Sequence, residues 1–182
     1  MTCLNLYVII LYNVIITHPN LILPVNQPRF PLRLNLGFLL NQQIGASRDV
    51  HFEYPALRLS PDLDLFDLSG VVRAGRTPQG LVVMGDFRGS LTMECVRCLV
   101  EFQQPLHTEF SELYAFNSRS VSESGLILPD DGNIDLAPLV REYMLLEVPI
   151  RPLCRPDCKG LCIICGADLN TEPCEHQKGI SA

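Results

Sequence analysis

Val71-Val72-Arg73-Ala74-Gly75-Arg76-Thr77-Pro78-Gln79-Gly80-Leu81-Val82-Val83-Met84 sets two β-rich runs on either side of a turn, Arg76 to Gly80. From Leu63 to Glu112 more such stretches follow, punctuated by Gly70, Gly85 and Gly89. Short strands at regular spacing, with no helical segment available to cross over between parallel neighbours, predict an antiparallel sheet.

Working outward, Arg29 to Phe38 carries apolar residues at 30, 32, 34, 36 and 38 with mostly polar ones between, the period of a half-buried strand. Val50, Phe52 and Tyr54 alternate with Asp49, His51 and Glu53, and Pro55 is expected to limit that run. Asp62, Asp64 and Asp67, set among Leu63, Leu65 and Phe66, look like a wet strand edge or turn. Residues 118–133 are polar, acidic and broken by Gly125, Pro129 and Gly132, so they read as a loop. One helix follows at 136–147. Asp135 caps its first turn, Pro138 is tolerated there, and Leu136, Leu139, Val140, Tyr143 and Leu146 or Glu147 form a packing face against the sheet. Pro149 ends it.

The chain has 182 residues, 47% hydrophobic and 19% charged, enough for one sizeable core and a small satellite module. Twenty acidic residues against fourteen basic give a net charge of −6, which excludes a generic polyanion binder held by excess positive charge. Contact with nucleic acid must be local. Residues 1–100 carry eight Arg against seven acids and the remainder six basic residues against thirteen, so the first part is the better candidate. Twelve of the fourteen basic residues are Arg, whose planar fork suits phosphates and stacked bases.

Residues 1–28 contain no Asp, Glu, Lys or Arg, and 4–16 are strongly apolar. A signal peptide wants a positive start and a small-residue cleavage site, and a spanning helix wants about 20 apolar residues without the Asn5, Asn13, His18 and Pro19 found here. The segment is read as an apolar extension, disordered or preceding the authentic start. A membrane-tethered adaptor is the alternative.

Eight cysteines require a reason. Cys3 stands alone, Cys95 and Cys98 form a pair, and Cys154, Cys158, Cys162, Cys165 and Cys174 crowd the tail with His176. Clustering favours a tetrahedral ion over a disulfide framework, because an ion gathers near neighbours. Cys162 and Cys165 form a knuckle with Gly166 supplying the positive φ such a turn often needs. Four thiolates, or three with a histidine, would close a structural zinc site without an open position for water, inside a reducing cell and therefore in the cytoplasm. Cys154, Cys158, Cys162 and Cys165 are the most compact quartet. Cys162, Cys165, Cys174 and His176 have an equally suitable spacing, and Cys95 with Cys98 supplies further or second-site ligands, enough for two ions or one shared one.

No phosphate-binding loop, dinucleotide fingerprint, nucleophile elbow or metalloprotease motif occurs. The chain reads as a non-enzyme without a small-molecule substrate. The competing enzymatic reading is a thiol redox protein using Cys95 and Cys98, although such chemistry wants the pair opening a helix.

Glu94-Cys95-Val-Arg-Cys98-Leu99, Phe110 to Phe116, Ile134-Asp-Leu-Ala-Pro-Leu-Val-Arg-Glu142, Leu145 to Pro149 and the Cys-Lys-Gly-Leu-Cys tail, in this order, resemble the YceD family. The resemblance runs from about residue 32 to 176. It implies a role, without known catalysis, in accumulation or processing of large-subunit ribosomal RNA or in ribosome assembly, with that RNA, a ribosome precursor or a ribosomal protein as partner. Arg73, Arg76, Arg88 and Arg97, with Phe87, Phe102 and Tyr54 near them in sequence, are the candidate RNA face; solvated strand positions are the plainer reading. The expectation is thus an α+β protein: an apolar extension at 1–28, a β-rich domain at 29–150 with one packed helix, and a zinc-binding tail at 151–182.

Overall fold

The computed structural model describes residues 30–59, 61–172 and 174–176; the apolar extension 1–28, with Cys3, lies outside them. Four strands form an antiparallel meander in chain order: β2 (Ser47–Leu59), β3 (Leu63–Arg76), β4 (Gly80–Glu94) and β5 (Glu101–Ala115). A short ladder pairs β1 (Arg33–Asn35) with β6 (Asn133–Asp135), and helix α1 (Ala137–Leu146) follows it. The architecture is α+β, an antiparallel sheet with one α-helix among the described residues. No helix among them is long and apolar enough to cross a membrane.

The strands are longer than the glycine punctuation suggests, 13 to 15 residues each, because most of those glycines lie inside strands and not between them. Gly70 stands opposite Phe87 and Gly85 opposite Phe110. A Cβ on either glycine would fall within the facing ring. The absent side chains therefore let the rings lie flat on the neighbouring strand, and Phe52, Phe87, Phe110 and Tyr143 form a row across the sheet with centroids 6.1, 6.1 and 5.2 Å apart. The row ends on α1, whose Tyr143 hydroxyl donates to Glu112 Oε1 at 2.7 Å.

Other local expectations change for equally physical reasons. The strand expected over 29–38 shrinks to three residues and turns into a 3-10 helix at Gly37–Asn41, because Leu36 and Leu39 enter the same core from successive turns. Strand β2 continues through Pro55. It is an edge strand, and the missing N–H falls at a position without a ladder partner, opposite the bulge where Asp67 has φ 50°. The buried line of α1 is Leu136, Val140 and Met144, with Leu139 and Tyr143 beside it, whereas Leu146 is exposed. Asp135 Oδ1 does accept from the Ala137 N–H at 3.0 Å.

One sheet face packs β1, β6, the 3-10 turn and α1; the other is open. Between Thr92 and Pro105 the apolar core gives out, and Cys95 is the one buried residue of that span. The β4–β5 hairpin thus projects past its own hydrophobic support.

The aromatic row makes a stability prediction. Gly85→Val forces Phe110 off the sheet and lowers stability by about 1–3 kcal/mol, read as a lower urea midpoint. Gly75→Ala, where the nearest atom to a Cβ is that of Ser47 at 3.9 Å, shifts it by less than about 0.5 kcal/mol. Equal losses would contradict the packing account.

Candidate metal centres

Cys95 and Cys98 occupy the turn between β4 and β5. The Leu99 N–H donates to the Cys95 carbonyl at 2.9 Å, the Cys95 N–H to the Val100 carbonyl at 2.9 Å, and Leu99 takes φ 59°. The tail repeats this turn atom for atom: Gly166 N–H to Cys162 carbonyl at 2.8 Å, Cys162 N–H to Ala167 carbonyl at 2.8 Å, and φ 73° at Gly166. Both are knuckles that present two sulfurs to one point.

The tail is pinned to the hairpin by backbone contacts. The Val96 N–H donates to Pro152 and the Leu161 N–H to Arg97, both at 3.0 Å, while Arg97 Nη1 donates to the Cys158 carbonyl at 2.7 Å. Gly160, at φ 77°, permits this approach, since a Cβ there would sit 2.8 Å from the Arg97 oxygen. These contacts sort the ligands into two groups. Cys95, Cys98, Cys154 and Cys158 form the first; Cys162, Cys165, Cys174 and His176 form the second, and within each all four ligand atoms lie within 4.8 Å of one another.

The compact quartet expected from spacing, Cys154, Cys158, Cys162 and Cys165, is not the arrangement the fold makes. Residues 158–161 run across Arg97, so Cys154 and Cys158 face the hairpin knuckle while Cys162 opens the next turn. A knuckle supplies two ligands and needs two more, and the sequence does not say which pair crosses 56 or more residues to complete the first. The signal available was arithmetic: two knuckles and four remaining ligands.

In the first group Cys95 Sγ lies 3.8 Å from Cys158 Sγ and Cys98 Sγ 3.6 Å from Cys154 Sγ. A tetrahedral ion with about 2.3 Å metal–sulfur bonds sets its sulfurs about 3.8 Å apart. The donor set fits that geometry, and the cysteines are free of disulfides. The short contacts run between segments, across the group. Asn170 Nδ2 donates to Cys158 Sγ at 3.6 Å, a bond that orients this sulfur.

Electrostatics divide each group. Burial pushes the Cys95 thiol up, but amides at Cys154, Arg97 and Cys98 outweigh it and bring it to about 6. Amides of Cys165 and Ile164 likewise bring Cys162 to about 6. Burial and the neighbouring sulfurs drive Cys154 up to about 12, and burial with the Cys162 sulfur raises Cys174. Each group thus sets one ready thiolate beside a thiol that resists a second negative charge, Cys154 in the first and Cys174 in the second, a conflict that a divalent cation would relieve.

The four arginines proposed as an RNA face do not share one. Arg73 and Arg88 project from the open sheet face, where Arg73 makes two 2.7 Å bonds to Asp49 and Arg88 lies 3.8 Å from Asp86. Arg76 falls by alternation on the opposite side, its guanidinium 5.1 Å over the Phe116 ring, and Arg97 belongs to the hairpin knuckle. Phe87 is fully buried and the Tyr54 hydroxyl donates to the Pro31 carbonyl, so neither ring is offered to a base. The same open face holds a shallow depression of ≈ 580 Å³ and an exposed ion-pair group in which His107 Nε2 lies 3.0 Å from Asp86 and 3.5 Å from Glu109.

The family model described as "Large ribosomal RNA subunit accumulation protein YceD" matches residues 83–181, more than half of the chain. An uncharacterized protein of Mycobacterium tuberculosis is 30% identical over 155 residues, covering 82% of this chain and 72% of its own. A chloroplastic large ribosomal RNA subunit accumulation protein YCED homolog 1 of Zea mays is 46% identical over 41 residues, 22% of this chain and 14% of the relative. The uncharacterized protein YlbN of Bacillus subtilis is 29% identical over 70 residues, 38% and 41% of the two chains. No solved structure matches. The matched segment contains all eight ligands of the two groups, and by these likenesses the chain belongs to the YceD family.

Proposed function

We propose that this chain is a non-catalytic cytoplasmic factor in accumulation of large-subunit ribosomal RNA, acting on a ribosome precursor through its RNA or one of its proteins. Two structural zinc ions hold its working end together. The observation that carries this reading is a coincidence of extents: the segment matched by the family is the one organised around the two ligand groups. The family description and the plant relatives' printed names supply the pathway.

Zinc is the natural ion for these donors. Cys₄ and Cys₃His are both closed structural sets for it, and oxygen-seeking cations have nothing here to bind. The first ion would be held by Cys95, Cys98, Cys154 and Cys158, tying hairpin to tail. The second would be held by Cys162, Cys165, Cys174 and His176 within one 15-residue turn. Zinc supplies no chemistry in this reading beyond cross-linking, because neither set leaves a position for water or substrate. The redox alternative has less support: all four sulfurs lie within 4.8 Å of one another, and two of them, 3.8 Å from Cys95 and 3.6 Å from Cys98, come from the tail, which suits an ion better than an isolated pair.

Purified chain is expected to carry two zinc ions by elemental analysis, and one in Cys162→Ser. Cys95→Ser is expected to lose the first ion and expose the tail to protease. A wild-type chain with less than one zinc sinks the cofactor assignment. Retention should also follow pH. Cys154, at about 12, and the raised Cys174 must each give up a proton to a metal even at pH 7, and Cys95 and Cys162 join them once the pH falls below about 6, so proton competition steepens there and displaces zinc in acid. Metal content unchanged at pH 4 contradicts these ligands. For the pathway, depletion of the protein should lower large-subunit relative to small-subunit ribosomal RNA; an unchanged ratio rejects it.

A further inference from the structure

The tip of the second knuckle points outward and is apolar. Ile163 and Ile164, the two residues between Cys162 and Cys165, are 91% and 64% exposed. The two are adjacent and make a small contiguous apolar tip, which nothing in the described chain covers. Their surroundings are mainly negative. From Gly160 to His176 there is no Lys or Arg but three carboxylates, Asp168, Glu172 and Glu175, with Lys159 at the margin, its backbone N–H bonded to Asn170 Oδ1. Asp168 accepts from the Asn170 backbone and side-chain amide, while Glu172 and Glu175 are exposed and, among the described residues, have no cation within ion-pair distance.

The rest of the molecule does not compensate. The chain is at −6, and six of its arginines already face carboxylates. Three thiolates and one imidazole around a divalent cation leave a further net negative charge on this knuckle when it is loaded. A phosphate backbone approaching the tip meets mainly like charge and an apolar surface, with few cations among the described residues to displace its counterions. A lysine- and arginine-bearing protein surface with an apolar recess meets both features favourably.

We infer that the second knuckle, with Ile163 and Ile164 at its tip and Glu172 and Glu175 beside it, docks onto a basic protein segment carrying an apolar recess, and not onto nucleic acid. The inference rests on the pathway proposed above, which supplies the class of partner: the basic proteins of the large ribosomal subunit. It assigns the contact a place that the arginine pattern of the sequence did not suggest.

The test uses zinc-loaded full-length chain and two probes, the individually purified basic proteins of the large subunit and its protein-free ribosomal RNA. Ile163→Ser with Ile164→Ser, and Glu172→Lys with Glu175→Lys, are surface changes outside the ligand set, and each double variant is first checked for an unchanged zinc content. At least one protein should bind saturably, more weakly as salt rises, and lose tenfold or more in affinity with either double variant. The inference is overturned if no protein binds saturably, if both double variants bind like wild type, or if the bare RNA binds and the isoleucine pair weakens it. Rescue of depleted cells separates the two claims. If wild type restores the ribosomal RNA ratio and both double variants restore it equally, the docking surface is wrong and the pathway stands. If wild type has no effect on that ratio, the pathway is wrong, and the binding measurements alone decide the surface.

Discussion

Beyond Thr92 the β4–β5 hairpin has no apolar core, and what lies at its centre is sulfur. Cys95 is the one buried residue between Thr92 and Pro105, and it meets Cys158 at 3.8 Å. Four thiols brought this close, with one held near 6 and another driven to about 12, are poorly matched as neutral groups and well matched as ligands. A cation there would take the place of a hydrophobic core. It would also close a loop of more than 50 residues, so the order of the tail would depend on it.

The sheet serves this end by being stiff. Gly70 and Gly85 let Phe87 and Phe110 lie across neighbouring strands, and the aromatic row carries on to Tyr143 of the helix. That packing fixes the inner half of β4 and β5, and their continuous pairing to Glu94 and Glu101 carries the first knuckle outward. Sheet and metal would divide the work: the sheet anchors the hairpin at its base, and a metal would fasten its tip.

The class of fold was legible because β-rich runs, a single amphipathic helix and clustered cysteines each have a period or spacing that survives without tertiary information. What was not legible depended on contacts distant in sequence. Gly70 and Gly85 read as punctuation until the facing rings are known. Pro55 reads as a stop until β2 is seen to be an edge. Alternation over 29–38 says apolar positions face a core, but not that a three-residue ladder with β6 and a helical turn satisfy them. Of the candidate sites, the eight ligands were visible as a set, and the fold alone sorts them. The arginines of β3 and β4 looked available because the carboxylates that face them, such as Asp49 on β2, come from other positions in the chain.

Zinc-edge X-ray absorption on the chain as purified tests the central claim most directly. Two ions sharing seven sulfurs and one imidazole nitrogen give an average of 3.5 sulfur and 0.5 nitrogen neighbours per zinc, with sulfur at about 2.3 Å. A spectrum dominated by oxygen ligands, or a folded chain without zinc whose hairpin tip and tail remain protected from hydrogen exchange, would contradict it.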